Sequence, residues 1–372
     1  MYRRLHIYIS LMILAACQQT YAPPIIAKPP DYLVVEGFIE NNGTDSTIFT
    51  LSRTMRLDSF VFVPQVNCAM WVEGSDSTSY LLGDAGNGKY GALLTALNKN
   101  ATYRIHIITI DGKEYASDYV PLVYNPPIDS ISWVRQDNDV HKGVQVYANT
   151  HNPLDNTHFY TWKYQECWEF HSPFESIYEY VPGVGVTPVT HIDDYVCWHY
   201  NDYSDILLAS STQLNHDLIY DAPIVFIPDT SQKITVRYSI LVTQYALTKD
   251  AFSWWKILQK NTEQIGSIFG VQPSANPGNI HCLTDTAELV LGYVDGGNSR
   301  SQRIFITNDQ VLPWSYNSGC IEQSSKKYSI EELWEMGELP IGVNFGDQSI
   351  IFSDKYCIDC RFTGTNVRPS FW

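Results

Sequence analysis

The chain has 372 residues, enough to bury one large core or two ordinary ones, so two domains is the default expectation. Aromatic residues make up 13% and charged residues only 17%, a balance that excludes an intrinsically disordered chain and points to an ordered, β-rich one. The formal net charge of −16 argues against nucleic acid and against an anionic membrane surface as partners, since both need clustered Lys and Arg.

Residues 1–17, MYRRLHIYISLMILAAC, combine a basic start at Arg3 and Arg4, an apolar run short for a bilayer span, and Leu14-Ala15-Ala16-Cys17. This is the pattern of a lipoprotein signal peptide. Small residues admit the signal peptidase, and Cys17 then carries the lipid as the first residue of the mature chain. The blander alternative is an ordinary leader with an accidental cysteine, and the place of Cys17 directly after the Ala pair speaks against it. Gln18-Gln19-Thr20 puts no aspartate beside the lipid, so nothing asks for inner-membrane retention. The outer membrane is the expected location, with its cell-surface or periplasmic face left open. Residues 18–31, QQTYAPPIIAKPPD, read as a proline-rich tether.

Short alternating runs follow at 33–39, 47–52, 68–73, 79–82, 103–110 and 114–119, separated by Gly, Asn and Asp. Asp111-Gly112 is a hairpin turn signal. These runs predict an immunoglobulin-like β-sandwich over residues 32–122. Gly86-Asn87-Gly88-Lys89-Tyr90-Gly91 fits the spacing of a dinucleotide fingerprint, but strands flank it on both sides, so it reads as a hairpin loop. Tyr124-Asn125-Pro126-Pro127 is a linker, because two prolines cannot sit in a central strand. A larger β-rich domain, residues 128–372, is expected after it, with strands at 128–135, 143–149, 158–164, 233–245, 287–293 and 303–307.

One segment of this second domain has helical period. Ala251, Trp254 or Trp255, and Leu258 recur on one face of residues 248–263, while Lys249, Ser253, Lys256 and Lys260 form a wet stripe. Thr248 is placed to cap it, Asp250 meets the positive end of its dipole, and Gly266, Gly270, Pro273 and Pro277 forbid continuation. We expect this helix to cap a sheet, with Trp255 at the stripe's edge free to meet a partner. Ser329 and Glu332 form a capping box that predicts a second short helix.

Residues 165–205 hold eight acidic residues, nine aromatics and three histidines with no Lys or Arg. Rings with carboxylates between them suit cationic, carbohydrate or peptide ligands. Trp168, Phe170, Phe174, Tyr178, Tyr180, Tyr195, Trp198 and Tyr200, with Trp255, are therefore the candidate binding surface. The competing reading is that half of these rings belong to the core. Glu166 with Glu169, or Asp193 with Asp194, offers a carboxylate pair of the glycosidase kind, but any acidic loop does so. No nucleophile elbow, zinc-protease helix or phosphate loop is present in the sequence, and no enzyme, cofactor or metal site is expected.

Setting Cys17 aside leaves seven cysteines for an oxidising compartment. Cys68 is expected as a buried free thiol, Cys167 is expected to pair with Cys197, and Cys282, Cys320, Cys357 and Cys360 are left with three possible connectivities. Cys357-Ile358-Asp359-Cys360 lacks the helical setting of a redox pair and reads as structural.

The stretches LVVEGFIENNGTDSTIFTLSRT, HFYTWKYQECWEFHSP, QYALTKDAFSWWKILQKNTEQIGSIFGVQPSANPGNIH and CIDCRFTGTNVRPSFW resemble a family of Bacteroidota outer-membrane lipoproteins, the domain of unknown function 4249. The resemblance implies a role at the outer membrane beside a TonB-dependent receptor, and it brings no catalytic residues to carry over. The functional expectation is a non-catalytic accessory or subunit of such a receptor complex that helps capture its ligand. The alternatives are an assembly subunit that binds only protein, and a glycan hydrolase.

Overall fold

The computed structural model describes residues 31–54, 62–138, 142–189, 194–202, 205–263 and 278–372. The leader, Cys17, most of the tether and Asp193 lie outside them. The fold is mainly β. Eight strands come first: β1 (Leu33–Glu40), β2 (Thr47–Arg53), β3 (Ala69–Gly74), β4 (Ser79–Gly86), β5 (Lys89–Ala92), β6 (Thr102–Ile108), β7 (Glu114–Ser117) and β8 (Val120–Val123). Period-two alternation sets their inner face: Met70 and Val72 on β3 and Tyr103, Ile105 and Ile107 on β6 are fully buried. Asn87 and Gly88, both at positive φ, turn β4 into β5, and a Cβ on Gly88 would lie 2.4 Å from the Leu51 carbonyl oxygen. The glycine-rich stretch is thus a hairpin tip, as its flanking strands imply.

The next strands are β9 (Ile128–Asp137), β10 (Lys142–His151), β11 (Phe159–His171), β12 (Tyr178–Val181), β13 (Gly185–Pro188), β14 (Val196–Asp202), β15 (Leu207–Ser210), β16 (Leu218–Pro228) and β17 (Arg237–Ala246). Helix α1 (Lys249–Glu263) follows, then β18 (Ile280–Cys282), β19 (Val290–Leu291), β20 (Gly296–Gly297) and β21 (Arg300–Thr307). Here the expected domain boundary fails. The short strands β18–β20 do not belong to the second unit; they return to the first. β20 pairs in parallel with both β1 and β8, and β8 pairs with β6, which closes the ring β6-β3-β4-β5-β2-β1-β20-β8. The first unit is therefore barrel-like instead of an immunoglobulin-like sandwich, and it is built from two separated pieces of chain. Glycine makes the closure possible, because a Cβ on Gly297 would lie 2.3 Å from the Val123 carbonyl oxygen.

The second unit holds the face-to-face arrangement. The three-stranded sheet β16-β10-β9 and the five-stranded sheet β14-β11-β17-β21, with β15 also on β11, share one core. Val144, Val146, Trp162, Tyr238, Ile240 and Val242 meet in it. This second sheet covers the apolar face that α1 was expected to seal, and only Ala251 of the helix is fully buried. Helix α1 instead lies along the flank, where Phe252 packs on Phe159. Its cap is as expected: the Thr248 hydroxyl accepts from the Ala251 amide at 3.2 Å, and Asp250 sits in the first turn.

The last part of the chain adds α2 (Asn308–Val311), β22 (Gln323–Ser324), α3 (Ile330–Glu335), β23 (Glu338–Val343), β24 (Ile350–Asp354) and α4 (Lys355–Ile358). The Ser329–Glu332 capping box starts α3, as the sequence implies. The hairpin β12–β13 packs against β23, with the Ser176 hydroxyl donating to the Pro340 carbonyl at 2.6 Å.

The junction between the two units is polar and saturated. Gln244 and Asn125 are fully buried. The Gln244 amide donates to Asn125 Oδ1, the Pro126 carbonyl and the Thr150 hydroxyl, while its carbonyl accepts from the Trp162 indole at 3.0 Å. The segment read as a linker is thus a clamp, since buried amides with every partner in place fix one geometry.

Candidate functional site

The expected aromatic surface does not form. β11 and β14 pair in register, and their rings divide between core and surface. Trp168, Phe170 and Trp198 are buried; Phe174, Tyr178, Tyr180 and Tyr195 are half-buried; Tyr200 is exposed. Trp255 is half-buried on α1, away from this ladder, and rests edge-on against Trp254. Three of the nine rings are thus committed to the core, fewer than the half that the competing reading expected.

The carboxylates of the same stretch are occupied. Glu166 is 1% exposed, and its oxygens accept from Lys233 Nζ at 2.6 and 2.7 Å, from the Tyr238 hydroxyl at 2.8 Å and from Asn201 Nδ2 at 2.8 Å. Burial and the neighbouring Glu166 push the Tyr238 hydroxyl well above its ordinary range, so it stays a donor. Glu169 accepts from the Trp372 indole at 3.0 Å. Three positions apart on a strand, Glu166 and Glu169 point to opposite faces and cannot flank one substrate bond.

The cysteine pairing is corrected as well. Cys197 is bonded to Cys360 and Cys320 to Cys357, while Cys68, Cys167 and Cys282 are free. Cys197 lies opposite Phe170 and Cys167 opposite Tyr200, so the two cysteines occupy different faces of the same ladder and cannot reach each other. Cys282 is out of reach of the C-terminal cysteines because β18 belongs to the barrel. Cys68 is half-buried, not buried.

A further site lies where sequence reading placed none. Among the described residues β15 pairs only with β11 and β16 only with β10, so two strand edges face each other unpaired at the side of the second unit. A cavity of about 410 Å³ runs along this seam, lined by Trp162, Leu207, Leu214, Leu218, Tyr220 and Gln259 among others. A neighbouring one of about 340 Å³ continues beneath α1 between Phe159, Phe252 and Lys256. Leu214, Leu218 and Tyr220 are exposed, Tyr220 at 76%. The edge of β16 is blunted by Pro223 and by register shifts against β10. β15 is only four residues long, and Gln259 of α1 donates to the Ile206 carbonyl just before it at 2.7 Å.

A second feature sits at the far end of β11. On the outer face of the sheet, Arg237 lies 5.2 Å from the Trp372 ring centroid and Arg303 lies 3.6 Å from that of Phe371. Beneath Phe371 a cavity of about 250 Å³ is lined by Gln165, Glu166, Cys167, Tyr200, Asp202 and Arg303, with Glu166 and Cys167 themselves buried. Burial pushes the Cys167 thiol up to about 11, against the lowering pull of Arg303 and of the Tyr200 hydroxyl bonded to it. The sequence held half of the signal, the outward position of Arg303 in its strand. An outward Arg reads as solvent-facing until the aromatic residues that cover it, some seventy positions later, are known.

A search of the curated proteins finds no match to this chain. Residues 18–303, most of the chain and all of the barrel, match the family described as a domain of unknown function, DUF4249, and the protein belongs to that family.

Proposed function

We propose that the protein is a lipid-anchored, non-catalytic subunit of an outer-membrane complex that works beside a TonB-dependent receptor. The observation that carries this reading is the seam between β15 and β16. A short strand edge with no strand paired to its outer side, above an apolar floor, suits an extended segment of a partner, which would add as a strand to β15 and place alternate side chains in the cavity. The leader ending in Leu14-Ala15-Ala16-Cys17 supports membrane attachment, and the family resemblance supports the receptor as partner.

Affinity purification from detergent-solubilised membranes tests the reading. The wild-type chain should bring down a TonB-dependent receptor, and Leu218→Asp with Tyr220→Asp should lose it while the protein keeps its stability, since both side chains are exposed. Recovery of another outer-membrane protein in its place would favour an assembly role.

A further inference from the structure

We propose that the cavity beneath Phe371 is a binding site for a small ligand bearing a carboxylate, with Arg303 as its anchor. A guanidinium has five N–H donors in a planar fork. Arg303 spends one on the Ser239 hydroxyl, at 2.8 Å, and stacks its face on the Phe371 ring. Stacking uses the face of the group and leaves the donor edge. Arg53, Arg104 and Arg361 each have a carboxylate partner, in Glu288, Glu73 and Asp359. Among the described residues, no side-chain carboxylate lies within ion-pair distance of Arg303, and the same holds for Arg135, Arg237, Arg300 and Arg368; Arg303 lines the cavity as well. In a chain of net charge −16, a half-buried guanidinium with no counter-ion is an unfilled place for an anion.

The walls fit that anion to a carboxylate. The ladder holds Gln165, Cys167 and Tyr200 on the same outer face as Arg303; Gln165 Nε2 gives one N–H to Asp202 at 3.4 Å and keeps the other as a further donor, while the Tyr200 hydroxyl is bonded to the Cys167 thiol. Asp202 is the one exposed carboxylate at the rim. It stands opposite Gln165 on β14, with β11 and β17 between it and Arg303, so it selects against bulky or dianionic ligands without neutralising the anchor. A cavity of about 250 Å³ admits a small molecule or a single peptide end only. Every group but Phe371 projects from one rigid sheet, so the bidentate geometry that guanidinium offers a carboxylate is preorganised. The site uses Gln165 and Cys167 on the outer face of β11, beyond residues 159–162 that pair with β15, so its failure and the failure of the docking reading are separate results.

Calorimetric titration of the mature full-length protein with benzoate, and with benzamide as its neutral counterpart, tests the proposal. Wild type should bind benzoate saturably with Kd below about 10 mM and prefer it to benzamide at least about tenfold, and Arg303→Gln should remove that preference. A merely structural role for Arg303, clamping Phe371, predicts lower stability in Arg303→Gln but no benzoate preference in wild type. A second readout does not depend on how the variant folds: benzoate, and not benzamide, should raise the melting temperature of the wild-type protein. Absence of saturable benzoate binding by wild type, equal affinity for benzamide, or an equal melting-temperature shift from both would overturn the proposal.

Discussion

Glu166 shows what an acidic residue in this chain does when it is not on the surface. Its carboxylate is buried under four hydrogen bonds, two of them from Lys233, which also lies 5.4 Å from the Trp168 ring centroid. Removing one member of such a pair strands the other. Lys233→Met should therefore cost about 3 kcal/mol in denaturant unfolding, and adding Glu166→Gln should restore a large part of it. Glu338 is the opposite case. Its Oε2 is buried without a partner, and burial, with Asp354 directly opposite on β24, raises its pKa above the ordinary carboxylate range. A carboxylate whose folded pKa is raised contributes most when protonated, so its contribution is lost as pH rises through the folded value. Glu338→Gln, which keeps the oxygen that accepts from Gln323, should raise stability by about 0.5–1 kcal/mol at pH 8 and by little at pH 4. Asp295 adds to the same trend: burial lifts it from 3.8 to about 7, so stability falls as pH rises across that interval. None of these partners was readable beforehand. Lys233 is 67 residues from Glu166, and the composition of 165–205 gave no hint that a lysine from outside the stretch would enter it.

Elements were legible where a period of several residues exists. The long strands announced themselves by alternation, and α1 by its cap, its acidic first turn and its lysine stripe, because those signals depend on near neighbours only. β19 and β20 have two residues each, too few to carry a period, so the return of the chain to the barrel was hidden. The disulfides were misread for a related reason: a cysteine's partner depends on which face of its strand it occupies, and Cys167 and Cys197 occupy different ones. The role of α1 was overstated because its two tryptophans suggested a core. Trp254 contacts both Trp255, at 4.9 Å between ring centroids, and Tyr293, at 5.8 Å, whereas Trp255 has the first of these contacts. At about 0.5–1.5 kcal/mol for each aromatic pair, Trp254→Ala should lower the melting temperature more than Trp255→Ala. Both losses should fall short of the roughly 3–5 kcal/mol expected for a fully buried tryptophan. Equal losses in thermal scans would show that Trp255 packs as tightly as its neighbour.

At the scale of the whole molecule, the barrel and the second unit are joined by saturated amides at Gln244 and Asn125 and by a chain that crosses between them more than once. Such a body is a rigid platform. The open seam between β15 and β16 is then presented at a fixed place on it, which is what a docking edge requires. Among the described residues no helix is long and apolar enough to cross a membrane. The most direct test is site-specific photocrosslinking in intact outer membranes, with the photoreactive residue at Tyr220 in the seam and, as control, at Phe345, which is exposed in the C-terminal part of the chain. The account predicts an adduct from position 220 that maps to a TonB-dependent receptor, with little or none from position 345. No adduct at 220, or equal adducts at both positions, would contradict it.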